Sequence, residues 1–435
     1  MKTNLFFLIV LACFLSCQNQ KDFPAPELPV PDETELPPAL IPRQDIKLSS
    51  VEQELSVQAN SFAFNLFKTV YTNEEAHKNI LLSPLSVTLA FSMLNNGAFG
   101  ATQDEIQRTI GFDDVSVETI NVYAQKLVDA IQTLDTRGVF ESANSIWIQK
   151  GFPVFDAFKQ VNRQHYEAEI QNVDFGLQTT LNQINSWVND KTHGKIPTIL
   201  DDFPTPLTRM MLLNALYFKG YWTEPFDKEL TVDAVFHTST GTEQMVPTMR
   251  KGLSRYSKTG NCAAVELPFG NGAFSLVVVL PDEDTPLSEV IVNMDGGWWE
   301  AITDFNKLAA EMHIQKRQLA VLLDIPRFKL EYRRNLNDDL MALGMQTPFD
   351  PEAADFSLIS KEALHVSKVE QKTFAQMDEE GIEAAAATLI EMPVTSVEPI
   401  ETVCVDFKVD RPFLFFIKEK STNLVFFAGV INKID

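Results

Sequence analysis

With 435 residues and 45% hydrophobic content, the chain can bury a large core, and its length alone suggests two or three domains. A net charge of −23, with Lys and Arg gathered into no stripe, argues against nucleic acid and against a heparin-like polyanionic activator. Of four cysteines, only Cys262 and Cys404 lie beyond the leader, which leaves no disulfide framework and no paired Cys-x-x-Cys metal site.

The chain opens with Lys2, an apolar run from Leu5 to Leu15, and then Ser16-Cys17, the layout of a bacterial secretion signal cut before a cysteine. Residues 1–16 are expected to be a lipoprotein signal peptide and Cys17 the lipidated first residue. Cys13 is the second candidate and leaves the apolar run short, while the run as a whole is too short to span a bilayer. Residues 17–46 form a Pro-rich acidic tether, with Pro24, Pro26, Pro29, Pro31, Pro37, Pro38 and Pro42 among Glu27, Asp32, Glu33 and Glu35. That composition buries no core and favours an extended chain. The resulting picture is an exported domain held off a membrane, facing the periplasm or the cell exterior.

From Val51 to Tyr71, apolar residues at Leu55, Ala59, Phe62, Ala63, Leu66, Phe67 and Val70 recur at helical spacing, and a second such helix runs from Ser86 through Leu94. Met211 to Phe218, Ala273 to Leu280, Leu319 to Ile325 and Phe413 to Ile417 carry branched and aromatic residues without a helical stripe and predict strands. Asn271-Gly272 predicts a hairpin turn. Helices and strands mix without regular alternation and no linker interrupts the chain after about residue 46, so residues 47–435 read as one α+β domain.

Enzyme signatures are missing. There is no Gly-x-Ser-x-Gly elbow, His-Glu-x-x-His pair or phosphate-binding loop, and the six histidines (77, 165, 193, 237, 313, 365) are scattered. Carboxylate pairs such as Asp201-Asp202 suit solvated loops as well as acid–base chemistry. The chain is read as a non-enzyme without cofactor or metal.

The stretch Glu379-Glu380-Gly381-Ile382-Glu383-Ala384-Ala385-Ala386-Ala387-Thr388 is nearly free of side chains. Propensity alone favours an exposed helix, since alanine is the best helix former and Gly381 stands just before it. As an extended chain it would instead place Ile382, Ala384, Ala386, Thr388, Ile390, Met392 and Val394 on one face, and Glu383 and Glu391 on the other.

Several segments, read in order, decide between these. They are Asn79-Ile-Leu-Leu-Ser83-Pro84-Leu-Ser86 with Gly97-Ala98-Phe99-Gly100-Ala101-Thr102, Ile184-Asn185-Ser-Trp187-Val188 with Thr192-His-Gly194-Lys195-Ile196-Pro197, Leu213-Asn214-Ala215-Leu216-Tyr217-Phe218-Lys219-Gly220-Tyr-Trp222, Pro326-Arg327-Phe328, and Arg411-Pro412-Phe413 with Phe427-Ala-Gly429. Over residues 50 to 435 the chain resembles the serpin family. The resemblance implies a serpin fold of eight or nine helices around three β-sheets, an exposed reactive-centre loop, and a monomeric suicide inhibitor of serine proteases, with cysteine proteases as the alternative targets. It implies that residues 379–388 are the hinge of that loop, which enters the large sheet as an extra strand after cleavage. Ser83, Pro84, Ser86, Asn214, Trp222, Gln371 and Lys372 would surround the place where the sheet parts. At about 1 kcal/mol net per new backbone hydrogen bond and roughly 25 cal/mol per Å² of buried apolar surface, insertion would release on the order of 10–20 kcal/mol.

The family's spacing from Glu379 puts the reactive bond at Thr395-Ser396, with Val394-Thr395 one residue shorter and Met392 a distant alternative. An uncharged bait residue points to elastase-like or subtilisin-like proteases. Three departures matter. Ile382 replaces the usual Thr or Ser and is expected to slow entry, so that some protease escapes. Gln371 replaces a His and is expected to bond Asn214. Residues 397–410 run slightly long. A non-inhibitory serpin that presents binding surface is the alternative, which the small hinge residues disfavour.

Overall fold

The computed structural model describes residues 38–201, 208–315, 317–382 and 401–434, with the side chains of 139–143, 214–216 and 401 outside the described set. The chain divides into two compact units, Met1–Glu35 and Leu36–Asp435, and the first lies outside the described residues together with both leader cysteines.

Three sheets organise the second unit. The inner sheet, with order β1-β16-β15-β9-β8-β7, is antiparallel throughout and comprises β1 Ile80–Leu82, β7 Tyr256–Thr259, β8 Cys262–Pro268, β9 Phe274–Pro281, β15 Phe413–Glu419 and β16 Val425–Ile431. Every residue of β9, β15 and β16 is buried, which is why these segments read as continuous apolar runs rather than alternating ones. A four-stranded sheet, β14-β10-β6-β5, contains β5 Val232–His237, β6 Glu243–Leu253, β10 Arg317–Pro326 and β14 Glu401–Lys408. The third sheet, with order β11-β12-β13-β4-β2-β3, contains β2 Gly138–Gln149, β3 Glu169–Val173, β4 Met210–Tyr221, β11 Phe328–Asn335, β12 Lys368–Met377 and the two-residue β13 Gly381–Ile382.

Among the described residues there are ten α-helices, where eight or nine were expected: α1 Ser50–Asn73, α2 Pro84–Asn95, α3 Ala101–Ile110, α4 Val117–Thr133, α5 Asp156–Tyr166, α6 Gln178–Lys191, α7 Leu287–Val292, α8 Gly296–Thr303, α9 Phe305–Ile314 and α10 Asn337–Ala342. A capping box starts α1: the Ser49 N–H donates to Glu52 Oε2 at 2.7 Å and the Glu52 N–H to Ser49 Oγ at 3.3 Å. The stripe from Leu55 to Val70 faces the core as its spacing requires. Pro84 sits in the first turn of α2, and all twelve residues of that helix are buried. The strands expected from Met211, Ala273, Leu319 and Phe413 appear as β4, β9, β10 and β15, and Asn271-Gly272 forms the β8–β9 turn with Gly272 at φ +82°.

Two cores result. The main one joins the helices to the inner sheet. The second packs Trp147 and Val173 of β2–β3, Leu181, Ile184 and Val188 of α6, Ile196, Ile199 and Leu200 after it, Met211 and Leu213 of β4, and Phe374 of β12. In the main core, Trp299 meets Phe416 at 5.0 Å and Phe64 at 5.7 Å between ring centroids and donates its Nε1–H to the Asn423 carbonyl at 2.9 Å. Trp299→Ala is expected to lower stability by about 3–5 kcal/mol, read as a fall in the urea midpoint.

Candidate functional site

The third sheet contains a seam. Strands β12 and β4 pair in parallel from Lys368↔Met211 to Phe374↔Tyr217, a closed ladder between two otherwise antiparallel neighbours. Beyond Tyr217 they diverge around β13, which is antiparallel to both: Ile382 lies opposite Met377 of β12 and Gly220 of β4, and Gly381 lies opposite Tyr221. A strand continuing β13 would replace one parallel ladder by two antiparallel ones, each slightly more stable per residue.

The hinge is held here by its main chain. The Trp222 N–H donates to the Glu380 carbonyl at 2.9 Å, the Phe226 N–H to the Glu379 carbonyl at 2.8 Å, Trp222 Nε1–H to the Asp378 carbonyl at 3.0 Å, and the Asp378 N–H to the Gly381 carbonyl at 2.9 Å. Trp222 is fixed in turn by stacking on Phe269, with centroids 4.6 Å apart. Gly381 was expected to supply freedom to swing. The structure gives a tighter reason for it, because a Cβ there would lie 2.0 Å from the Gly220 carbonyl oxygen. Only a glycine lets the two backbones meet this closely.

Ile382 is fully buried at the head of the seam. Its side chain, expected from its bulk to slow entry of the loop, is seated in the core here and gains about 1.5–3 kcal/mol from that burial. The hinge residues Glu383, Ala384, Ala385, Ala386, Ala387 and Thr388, the bait candidates Met392, Val394, Thr395 and Ser396, and Asp202 lie outside the described residues. Asp201 is in ion-pair contact with Arg333.

Three consecutive carboxylates precede Gly381. Glu379, 2% exposed, accepts from Arg327 Nε at 2.8 Å, from Arg327 Nη2 and from the Thr231 hydroxyl; Glu380, 5% exposed, pairs with Lys228. Burial works against the Glu379 charge, but the Thr231 and Arg327 donors outweigh it and hold its carboxyl below the usual range. Burial pushes Asp378 the other way, up, against the Glu380 and Gly381 N–H groups that donate to its Oδ1 at 3.0 and 3.3 Å. The Glu380 bond raises Lys228. Sequence reasoning passed over Thr231 and Lys228, since no local pattern marks a partner some 150 positions away.

The residues expected around the parting place fall into two groups. Ser83, Ser86 and Gln371 meet midway along the seam. Gln371 Oε1 accepts the Ser83 N–H at 2.9 Å and its Nε2 donates to the Ser83 carbonyl at 3.0 Å, while Ser83 Oγ donates to the Phe426 carbonyl at 2.7 Å and touches Ser86 Oγ at 3.1 Å. Gln371 therefore grips the chain just ahead of Pro84 in α2. Asn214, its expected partner, is opposite it in register, and the Asn214 side chain lies outside the described set. Lys372 donates to the Thr198 carbonyl at 2.9 Å and pairs with Glu331 of the neighbouring strand β11 at 2.6 Å. Trp222 belongs to the other group, beside Gly381, eight residues beyond Asn214 or roughly 26 Å away. Among the described residues no cluster of His, Cys, Asp and Glu is arranged to hold a metal ion.

Because the Glu379 pKa is depressed in the folded chain, its pairing stabilises the fold above the unfolded carboxylate value near pH ~4.3, and that contribution is lost as pH falls through the lower folded value. Arg327→Met is expected to cost about 1–2 kcal/mol at neutral pH, discounted for the half-exposed guanidinium, with the deficit shrinking below pH ~4. Denaturant midpoints of both proteins across that range check the sign.

Comparison with known proteins agrees with this architecture. A family model described as serpin, a serine protease inhibitor, matches residues 57–434. Serpin B6 of Macaca fascicularis is 33% identical over 384 residues, covering 86% of this chain and 98% of its own length, and a serpin-like protein of Methanosarcina mazei is 32% identical over 377 residues, 86% and 85% respectively. Among solved structures, the thermophilic serpin tengpin in its native state superposes with a TM-score of 0.78 at 30% identity, covering 91% of this chain and 98% of tengpin. Human thyroxine-binding globulin superposes with a TM-score of 0.78 at 28% identity, covering 88% and 100%. The family model spans the strands, the seam and the hinge alike, and on that evidence the chain belongs to the serpin family.

Proposed function

We propose that this serpin inhibits proteases by suicide trapping. The observation that carries the reading is β13: Gly381 and Ile382 already stand between β4 and β12, antiparallel to both, as the first two residues of an incoming strand. The residues that follow are the small Ala384 to Ala387, which a parting sheet admits with least displacement. The protein does no chemistry of its own. The protease's nucleophile attacks the Thr395 carbonyl, the Ser396 amine leaves, and the ester joins protease to the loop. The freed hinge then extends β13 along the seam and drags the protease with it, and displacing its oxyanion donors by ~1 Å slows deacylation by orders of magnitude.

Elastase-like or subtilisin-like proteases are the proposed targets, from the uncharged bait. Export and anchoring through Cys17 are proposed from the leader, and monomeric action from the family resemblance. The similarity to Serpin B6 supports inhibition, whereas the similarity to thyroxine-binding globulin fits the alternative of a binding protein. Incubation with an elastase-like protease is expected to give an SDS-stable complex lacking the fragment from Ser396 onward, and the nicked protein is expected to melt well above the intact one. Full cleavage that leaves active protease and an unchanged melting temperature overturns the reading.

A further inference from the structure

Admitting a strand at the seam moves β4, β2 and β3 against β12 and β11 by about one strand spacing, ~4.8 Å. The β11–β12 half is fastened to the inner sheet, since Thr373 Oγ1 donates to the Leu81 carbonyl of β1 at 2.7 Å, beside the Gln371–Ser83 grip. The other half is fastened differently. Its corner, residues 134–138, carries three attachments. The Asn271 N–H donates to Asp135 Oδ2 at 3.0 Å, the Arg137 carbonyl accepts the Tyr221 N–H at 3.0 Å, and residues 38–39 are held by Thr136 and Arg137.

That last attachment is long-range and built from donors of the corner. Arg137 Nε donates to the Pro38 carbonyl and Thr136 Oγ1 to the Ala39 carbonyl, each at 2.6 Å. Pro38 and Pro42 lack N–H groups and favour an extended backbone, which leaves carbonyls free for outside donors. At the far end the Ile46 N–H donates to Ser421 Oγ at 3.0 Å, and Ile46 and Leu48 pack against the main core just before α1. Ser421 lies in the β15–β16 turn, braced by Glu419 Oε1 at 2.8 Å and by the Lys420 N–H on the Ala273 carbonyl at 2.8 Å. Residues 38–46 thus join the corner of the movable half-sheet to a turn of the inner sheet. Arg137 links them to the strand end that holds the hinge: its carbonyl bonds Tyr221, which faces Gly381, and the next residue, Gly138, faces Gly220, which faces Ile382.

We propose that residues 38–46 are a strap that restrains seam opening in the uncleaved protein. A shift of one strand spacing loads the bonds to Pro38 and Ala39 while Ile46 stays fixed, so the strap opposes the slide of the half-sheet. The step it restrains is the insertion described under Proposed function, and the proposal rests on that reading only for its biological consequence. The test compares three uncleaved proteins: the full chain, a chain beginning at Lys47, and full-length Arg137→Ala, which keeps the Arg137 main-chain bond to Tyr221. Hydrogen exchange is read at 138–146 and 214–221, with inner-sheet amides 276–279 as an internal control. The loss of protease-complex formation on prolonged warm incubation is followed alongside. Both altered proteins are expected to exchange about three- to tenfold faster along β2 and β4, the size of one or two net hydrogen bonds, with the control unchanged and complex-forming capacity lost correspondingly sooner. Equal exchange in all three, or acceleration spread equally over the control strand, overturns the strap. If none of the three forms a complex, the trapping reading falls while the exchange data still decide the strap.

Discussion

Strands β4 and β12 run parallel although each is antiparallel to its neighbour on the other side, and much of the molecule is arranged around keeping them together. Gln371 ties β12 to the start of α2 through the Ser83 backbone, Lys372 reaches the segment after α6, and the second hydrophobic core packs Phe374 from one side of the seam with Met211 and Leu213 from the other. None of these contacts is large by itself. The Lys372 and Phe374 contacts are lost together if β4 and β12 separate, while Gln371 keeps β12 anchored, which makes the closed seam cooperative.

Against this closure stands the wedge. Gly381 and Ile382 stand where the two strands diverge, and Glu379 and Glu380 just before them are secured by main-chain bonds from Phe226 and Trp222 and by the charges of Arg327 and Lys228. The hinge is therefore a built structure, and the position of Ile382 follows from its burial: an apolar side chain at the head of a seam is stable inside it, where the usual hydroxyl residue would need a partner. A closed parallel ladder thus meets a two-residue antiparallel strand at the head of the seam.

Much of this was legible in the chain. The spacing of Leu55 to Val70 requires a one-sided helix, the branched runs at 211, 274, 319 and 413 require strands, and Asn271-Gly272 requires a tight turn, because each depends on neighbours in sequence. Motif order placed the seam and hinge residues in one family. At the alanine-rich stretch from 383 to 388, which lies outside the described residues, propensity and the family resemblance point in different directions, helix against strand.

The sequence by itself determined the element types and, through the order of its motifs, the family, since periodicity, turn chemistry and motif order are read along the chain. Only the tertiary structure decided that Gly381 is needed for close backbone contact, that Gln371 holds Ser83, that Thr231 and Lys228 serve the hinge, and that Pro38 and Ala39 are bound by Arg137 and Thr136. These pairings join residues about 100 to 290 positions apart. Such contacts exist only once the sheets have formed and brought the strand ends into register, so no local pattern encodes them.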